Sequence, residues 1–113
     1  ALLLAANGGL ELSGVADRIL GERAFNVADA ARLADVVAAR DETIRFDLVN
    51  RHLLDRIAEA ASAATSSADA DRFAALWQDA NSAIAMTAIY NLDKRQHLNG
   101  LLRRMHEAGV GPG

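Results

Sequence analysis

The only proline in this chain is Pro112, which lies beyond the last stretch with helical periodicity. Proline inside a helix costs about 3 kcal/mol, so everything before it is open to continuous helix. Alanine, the best helix former, recurs throughout, and no run of β-branched residues alternates with polar ones as a strand requires. The expected fold class is all-α, a small bundle of about five helices with no sheet. A chain of 113 residues makes one domain with a real core, not two.

Apolar spacing then divides the chain. Ala1 to Ala6 reads as a helical remnant stopped at the hinge Asn7-Gly8-Gly9. Leu12, Val15, Ala16 and Ile19 stripe a helix from about Leu10 to Leu20. Gly14 weakens its middle by about 1 kcal/mol relative to alanine and marks a candidate close-packing point, and Gly21 ends it. Asn26 caps the next element, with Asp29 in capping-box position and Ala30, Leu33, Ala34 and Val37 facing inward. After the boundary Arg40-Asp41, the longest helix is expected from Asp41 to about Ala64. Its core stripe is Phe46, Val49, Leu53, Ile57, Ala60 and Ala64, and Asp41–Arg45 and Asp47–Arg51 have the spacing of ion pairs on its wet side. Ile44 and Leu48 break that pattern by sitting on the side that should be solvated. Ser66, with Asp69 three residues on, offers the next cap.

From Phe73 to Tyr90 nothing interrupts a helix. Phe73, Leu76, Trp77, Ala80 and Ile84 form its stripe, which places Trp77 in the core, while Gln78, Asp79, Asn81 and Ser82 face water. Met86 and Ile89 then appear on the wet side. Asn91 reads as both a left-handed helix end and the cap of a new helix, with Asp93 in the first turn where its charge suits the dipole. Leu98, Leu101, Leu102 and Met105 follow on one face, so the chain ends in an antiparallel helical pair. Ile44, Leu48, Met86, Ile89 and Tyr90 lie off the core stripes. They are either covered by a further element of the bundle or form a surface for another subunit.

The segment "LWQDANSAIAMTAIYNLDKRQHLNGLLRRM" resembles the end of the delta-prime subunit of the bacterial DNA polymerase III clamp loader, in its alphaproteobacterial form. Trp77, Asn91, Leu92, Asp93, Lys94, Arg95 and Gln96 carry the likeness, and the opening "ALLLAANG" looks like the close of that family's lid domain. The resemblance implies that residues 1–7 end a lid-like domain. Residues 8–113 would then be the C-terminal collar domain, which joins other clamp-loader subunits into a hetero-oligomer. The family's contribution to a neighbour's ATPase site is a Ser-Arg-Cys motif, which this chain lacks, so the resemblance implies assembly without chemistry. A start in Ala1-Leu2-Leu3-Leu4 without Met reads as a piece of a longer protein.

Composition narrows the alternatives. Without cysteine there is no disulfide, thiolate zinc site or cysteine nucleophile, which fits a cytoplasmic protein. No apolar run is long enough to span a bilayer. The net charge of −3 and pI near 5.5 count against nucleic acid, and the basic residues Lys94, Arg95, Arg103 and Arg104 lack interleaved aromatics and read as a solvated face. His52, His97 and His106 share no ligand spacing and read as surface residues, and no serine sits in a glycine elbow. No catalytic, cofactor-binding or metal-ligating residue is expected, and no small-molecule ligand. The reading that competes with an assembly domain is a generic helical protein-interaction module.

Overall fold

The computed structural model describes residues 14–37 and 43–110, leaving out the side chains of Thr43 and Ile44. Helical residues 14–21 form α1. They are followed by α2 (Val27–Val37), α3 (Thr43–Ala63), α4 (Ser67–Ile89) and α5 (Lys94–Ala108). No strand occurs among the described residues, and the fold is an all-α bundle ending in the α4–α5 pair. None of these helices is long and apolar enough to cross a membrane. The hinge expected at Asn7-Gly8-Gly9, the division after residue 7 and the boundary at Arg40-Asp41 fall outside the described residues, as does the Ile44 side chain.

The helix starts are set by side-chain caps. Asn26 Oδ1 accepts the Asp29 amide at 3.0 Å, and Ser66 Oγ accepts the Asp69 amide at 3.1 Å. Each cap satisfies one of the amides that a helix N-terminus leaves without a partner. At the α4–α5 turn the work is divided differently from the sequence-based expectation. Asn91 takes the left-handed backbone, at φ 51°, but it is Asp93 that caps α5. Asp93 Oδ1 accepts the Arg95 and Gln96 amides at 2.9 and 3.2 Å. Asp93 therefore precedes the first turn instead of lying in it. Gly109, at φ 87°, closes α5.

Most core stripes fall where periodicity places them. Ala16 and Ile19 of α1, Ala30, Leu33, Ala34 and Val37 of α2, and Phe46, Val49, Leu53 and Ile57 of α3 are buried. So are Leu98, Leu101, Leu102 and Met105 of α5. Among the described residues Gly14 is no close-packing point, since it is exposed and an added Cβ there would meet none of them within 4 Å. Asp47 and Arg51 are both exposed, and among the described residues they form no ion pair with each other.

α4 departs from expectation. Its buried residues are Phe73, Ala80 and Thr87, spaced seven apart, so the inward line runs beside Trp77 and not through it. Trp77 lies about 40° around the helix from Phe73, on the side away from that line. It is 37% exposed. α4 lies chiefly against α3, α2 lies chiefly against α5, and α4 meets α5 more sparingly. That layout leaves a groove on each side of α4.

Candidate interaction surface

The three histidines, expected at the surface, instead tie helices together. His52 Nε2 donates to Asp17 Oδ1 at 2.8 Å, and Arg56 donates to the same carboxylate at 3.2 and 3.0 Å, which fastens α1 to α3. Burial pushes the Asp17 carboxyl up, but the His52 and Arg56 hydrogen bonds outweigh it and hold the group below the usual carboxylate value. His106 Nε2 donates to the Glu22 carbonyl at 2.6 Å, joining α5 to the loop after α1. His97 Nε2 lies 2.9 Å from Asn50 Oδ1, and its ring meets Phe46 edge-on. Burial, reinforced by the charge of Arg104, lowers the His97 pKa to about 4, so the ring is neutral near pH 7. Among the described residues, Asn50 Nδ2 has no hydrogen-bond partner. These contacts occupy the imidazoles structurally, and among the described residues no group of three His, Asp or Glu side chains is arranged to hold a metal ion.

Asn50 and Thr87 are the buried polar residues that periodicity alone passes over. Both were detectable. Asn50 stands on the stripe of Phe46, Leu53 and Ile57, where a polar side chain needs a partner, and Thr87 continues the seven-residue spacing of Phe73 and Ala80. Thr87 is satisfied within its own helix, with Oγ1 donating to the Ala83 carbonyl at 2.7 Å.

The basic residues of α5 are largely engaged within the bundle. Lys94 sits 5.3 Å from the centre of the Phe46 ring, Arg103 lies 5.0 Å over Phe25, and Arg95 pairs with Asp35 at 3.1 Å. Arg104 forms no contact of this kind among the described residues, and it is exposed.

Of the apolar residues lying off the core stripes, the described ones are exposed. Ile89 at 72% and Tyr90 at 64% stand out most, with Met86, Leu48 and Leu92 about half exposed. Met86 and Leu92 line one groove of about 510 Å³ between α4 and α5, together with Thr87, His97, Gly100 and Arg104. On the other side of α4, Trp77 and Ile84 face Asn50, Arg51 and Leu54 of α3 across a groove of about 340 Å³. Leu48, Ile89 and Tyr90 line neither groove. The candidate residues thus split into the turn end of α4, the α4–α5 groove, and Leu48 alone on α3. Of residues 91–96, Asn91 and Asp93 shape the turn, Leu92 joins the exposed apolar set, Lys94 lies near the Phe46 ring, Arg95 pairs with Asp35 at the surface, and Gln96 lines the α4–α5 groove. The sequence matches no protein-family model, and searches of curated proteins and of solved structures found no match.

Proposed function

We propose that this chain is the C-terminal assembly domain of a delta-prime clamp-loader subunit, helping to hold together the pentamer that loads the sliding clamp in DNA replication. Its role is contact and not catalysis, and its partners are the other subunits of that cytoplasmic complex. The observation that carries the reading is the apolar end of α4. Met86, Ile89, Tyr90 and Leu92 are exposed beside the very turn whose residues carry the family resemblance. Val27, Val36, Leu48 and Trp77 are exposed elsewhere on the bundle, but Met86, Ile89, Tyr90 and Leu92 gather at one turn, and exposed apolar residues gathered in this way mark a contact site. The tight turn built by Asn91 and Asp93 also supports it, because it projects those residues from a fixed corner and not from a loose loop.

Leu48→Glu and Ile89→Glu in the full-length subunit test this. Both positions are exposed, so the variants are expected to keep the parental melting temperature to within a few degrees. A charge buried at a contact costs several kcal/mol, so incorporation into the clamp loader is expected to fail. Normal incorporation of both folded variants would exclude this surface from subunit contact. Unfolding of either would return its residue to the core.

A further inference from the structure

Gly100 sits in the middle of α5, where glycine costs about 0.5–1 kcal/mol relative to alanine. Its backbone is helical, it is exposed, and a Cβ built on it would meet no atom within 4 Å. Nothing among the described residues requires a glycine here. What the missing side chain does is open the α4–α5 groove along its α5 wall. The floor of that groove offers little unsatisfied polarity, since Thr87 bonds its own helix and the His97 ring is turned to Asn50. Met86 and Leu92 stand at the turn end. Arg104 stands on the rim beyond Gly100, and its charge finds no acidic partner within the described chain. From Asp93 to Arg104 the groove follows about 16 Å of helix, or about three turns.

A helix fits these terms better than an extended strand. The groove walls are helices whose backbone groups are already paired, so no open sheet edge is offered, and an apolar trough between two helices takes the apolar face of a third. We propose that the α4–α5 groove receives an amphipathic helix from a neighbouring clamp-loader subunit, which crosses α5 closely at Gly100, seats apolar side chains against Met86 and Leu92, and places a carboxylate on Arg104. This rests on the assembly reading and adds to it the docking site and the chemistry of the occupant. The apolar side chains of that helix recur at i, i+3, i+4 and i+7, and its acidic residue lies toward the end that meets Arg104.

The test uses the full-length subunit mixed with the remaining clamp-loader subunits, with assembly read by light scattering on a sizing column. Gly100→Leu extends into the groove from an exposed helical position where an added Cβ meets no described atom within 4 Å, so it is expected to leave melting close to the parent while weakening assembly at least tenfold. Arg104→Glu changes an exposed side chain and is expected to weaken assembly by a similar factor, more at low salt than at high. Ile89→Glu serves as the control outside the groove. Parental assembly by both Gly100→Leu and Arg104→Glu, with Ile89→Glu defective, would overturn the groove and leave the assembly reading standing. Parental assembly by all three would overturn both.

Discussion

α4 and α5 are neighbours in the chain and bury themselves in opposite ways. α5, with 15 residues, buries Leu98, Leu101, Leu102 and Met105 completely, whereas α4, with 23, buries only Phe73, Ala80 and Thr87. A helix whose buried line holds one phenylalanine, an alanine and a threonine gains little from packing, and its large apolar residues are left at the margins. α5 buries one face fully, and on its outer face Lys94, Arg103 and Arg95 contact Phe46, Phe25 and Asp35. α4 is an outer element laid across α3, open on both flanks and most apolar where it projects. The difference teaches that length and helical propensity do not rank the helices of this bundle by their hold on the core.

The sharpest way to break that comparison is to truncate one large residue in each helix. Leu102→Ala removes a fully buried side chain and is expected to cost about 3 kcal/mol in urea-melt stability. Trp77→Ala removes a much larger side chain but a marginal one, and is expected to cost about 2 kcal/mol, below the 3–5 typical of a buried tryptophan. If Trp77→Ala proves the costlier of the two, α4 is part of the core and the contrast fails.

Acid sharpens the comparison at the point where α3 meets α5 under the edge of α4. The folded-state pKa of His97 is depressed to about 4 from the usual 6.5, so the unfolded chain takes up the proton first. The contribution is full above pH 6.5 and is lost as pH falls toward 4. Between pH 7 and pH 5 the loss is expected to be about 1 kcal/mol after solvent screening. Asp17, held below its usual value by His52 and Arg56, stays ionised over that range and does not contribute to the slope. Urea melts of His97→Gln, which keeps a donor for Asn50 but cannot titrate, should lose this much of the pH dependence. An equal slope in parent and variant would place the proton elsewhere.

What was legible in the residues follows the same division. The stripes of α2, α3 and α5 were readable because each helix buries one face, and periodicity reports one face well. The caps at Asn26 and Ser66 were readable because they act within three residues. α4 is misphased at Trp77, since the stripe of Phe73, Trp77, Ala80 and Ile84 argues for burial while the seven-residue line through Phe73, Ala80 and Thr87 sets the geometry. The histidine ties were hidden because Asp17, Asn50 and the Glu22 carbonyl are brought to them only by tertiary packing. The exposed set of Leu48, Met86, Ile89 and Tyr90 was visible as a violation of pattern, but not the groove beside it, because a groove depends on how two helices lean together.

The smallest expected effect is opposite in sign to the others. Gly100→Ala adds a methyl group to an exposed helical position where it touches nothing, so the gain is conformational: alanine restricts the unfolded chain and suits the helix better. A gain of about 0.5–1 kcal/mol is expected, read as a higher urea midpoint at unchanged slope. The same change in a crowded crossing would destabilise, because a Cβ would press on a neighbouring backbone. A loss of stability would therefore mean that the α4–α5 groove is closed in solution and that α4 is seated on α5 as firmly as on α3. A gain would mean that glycine is held at this position against the stability of the helix. The reason for it then lies outside the described residues, in whatever approaches the open flank of α5.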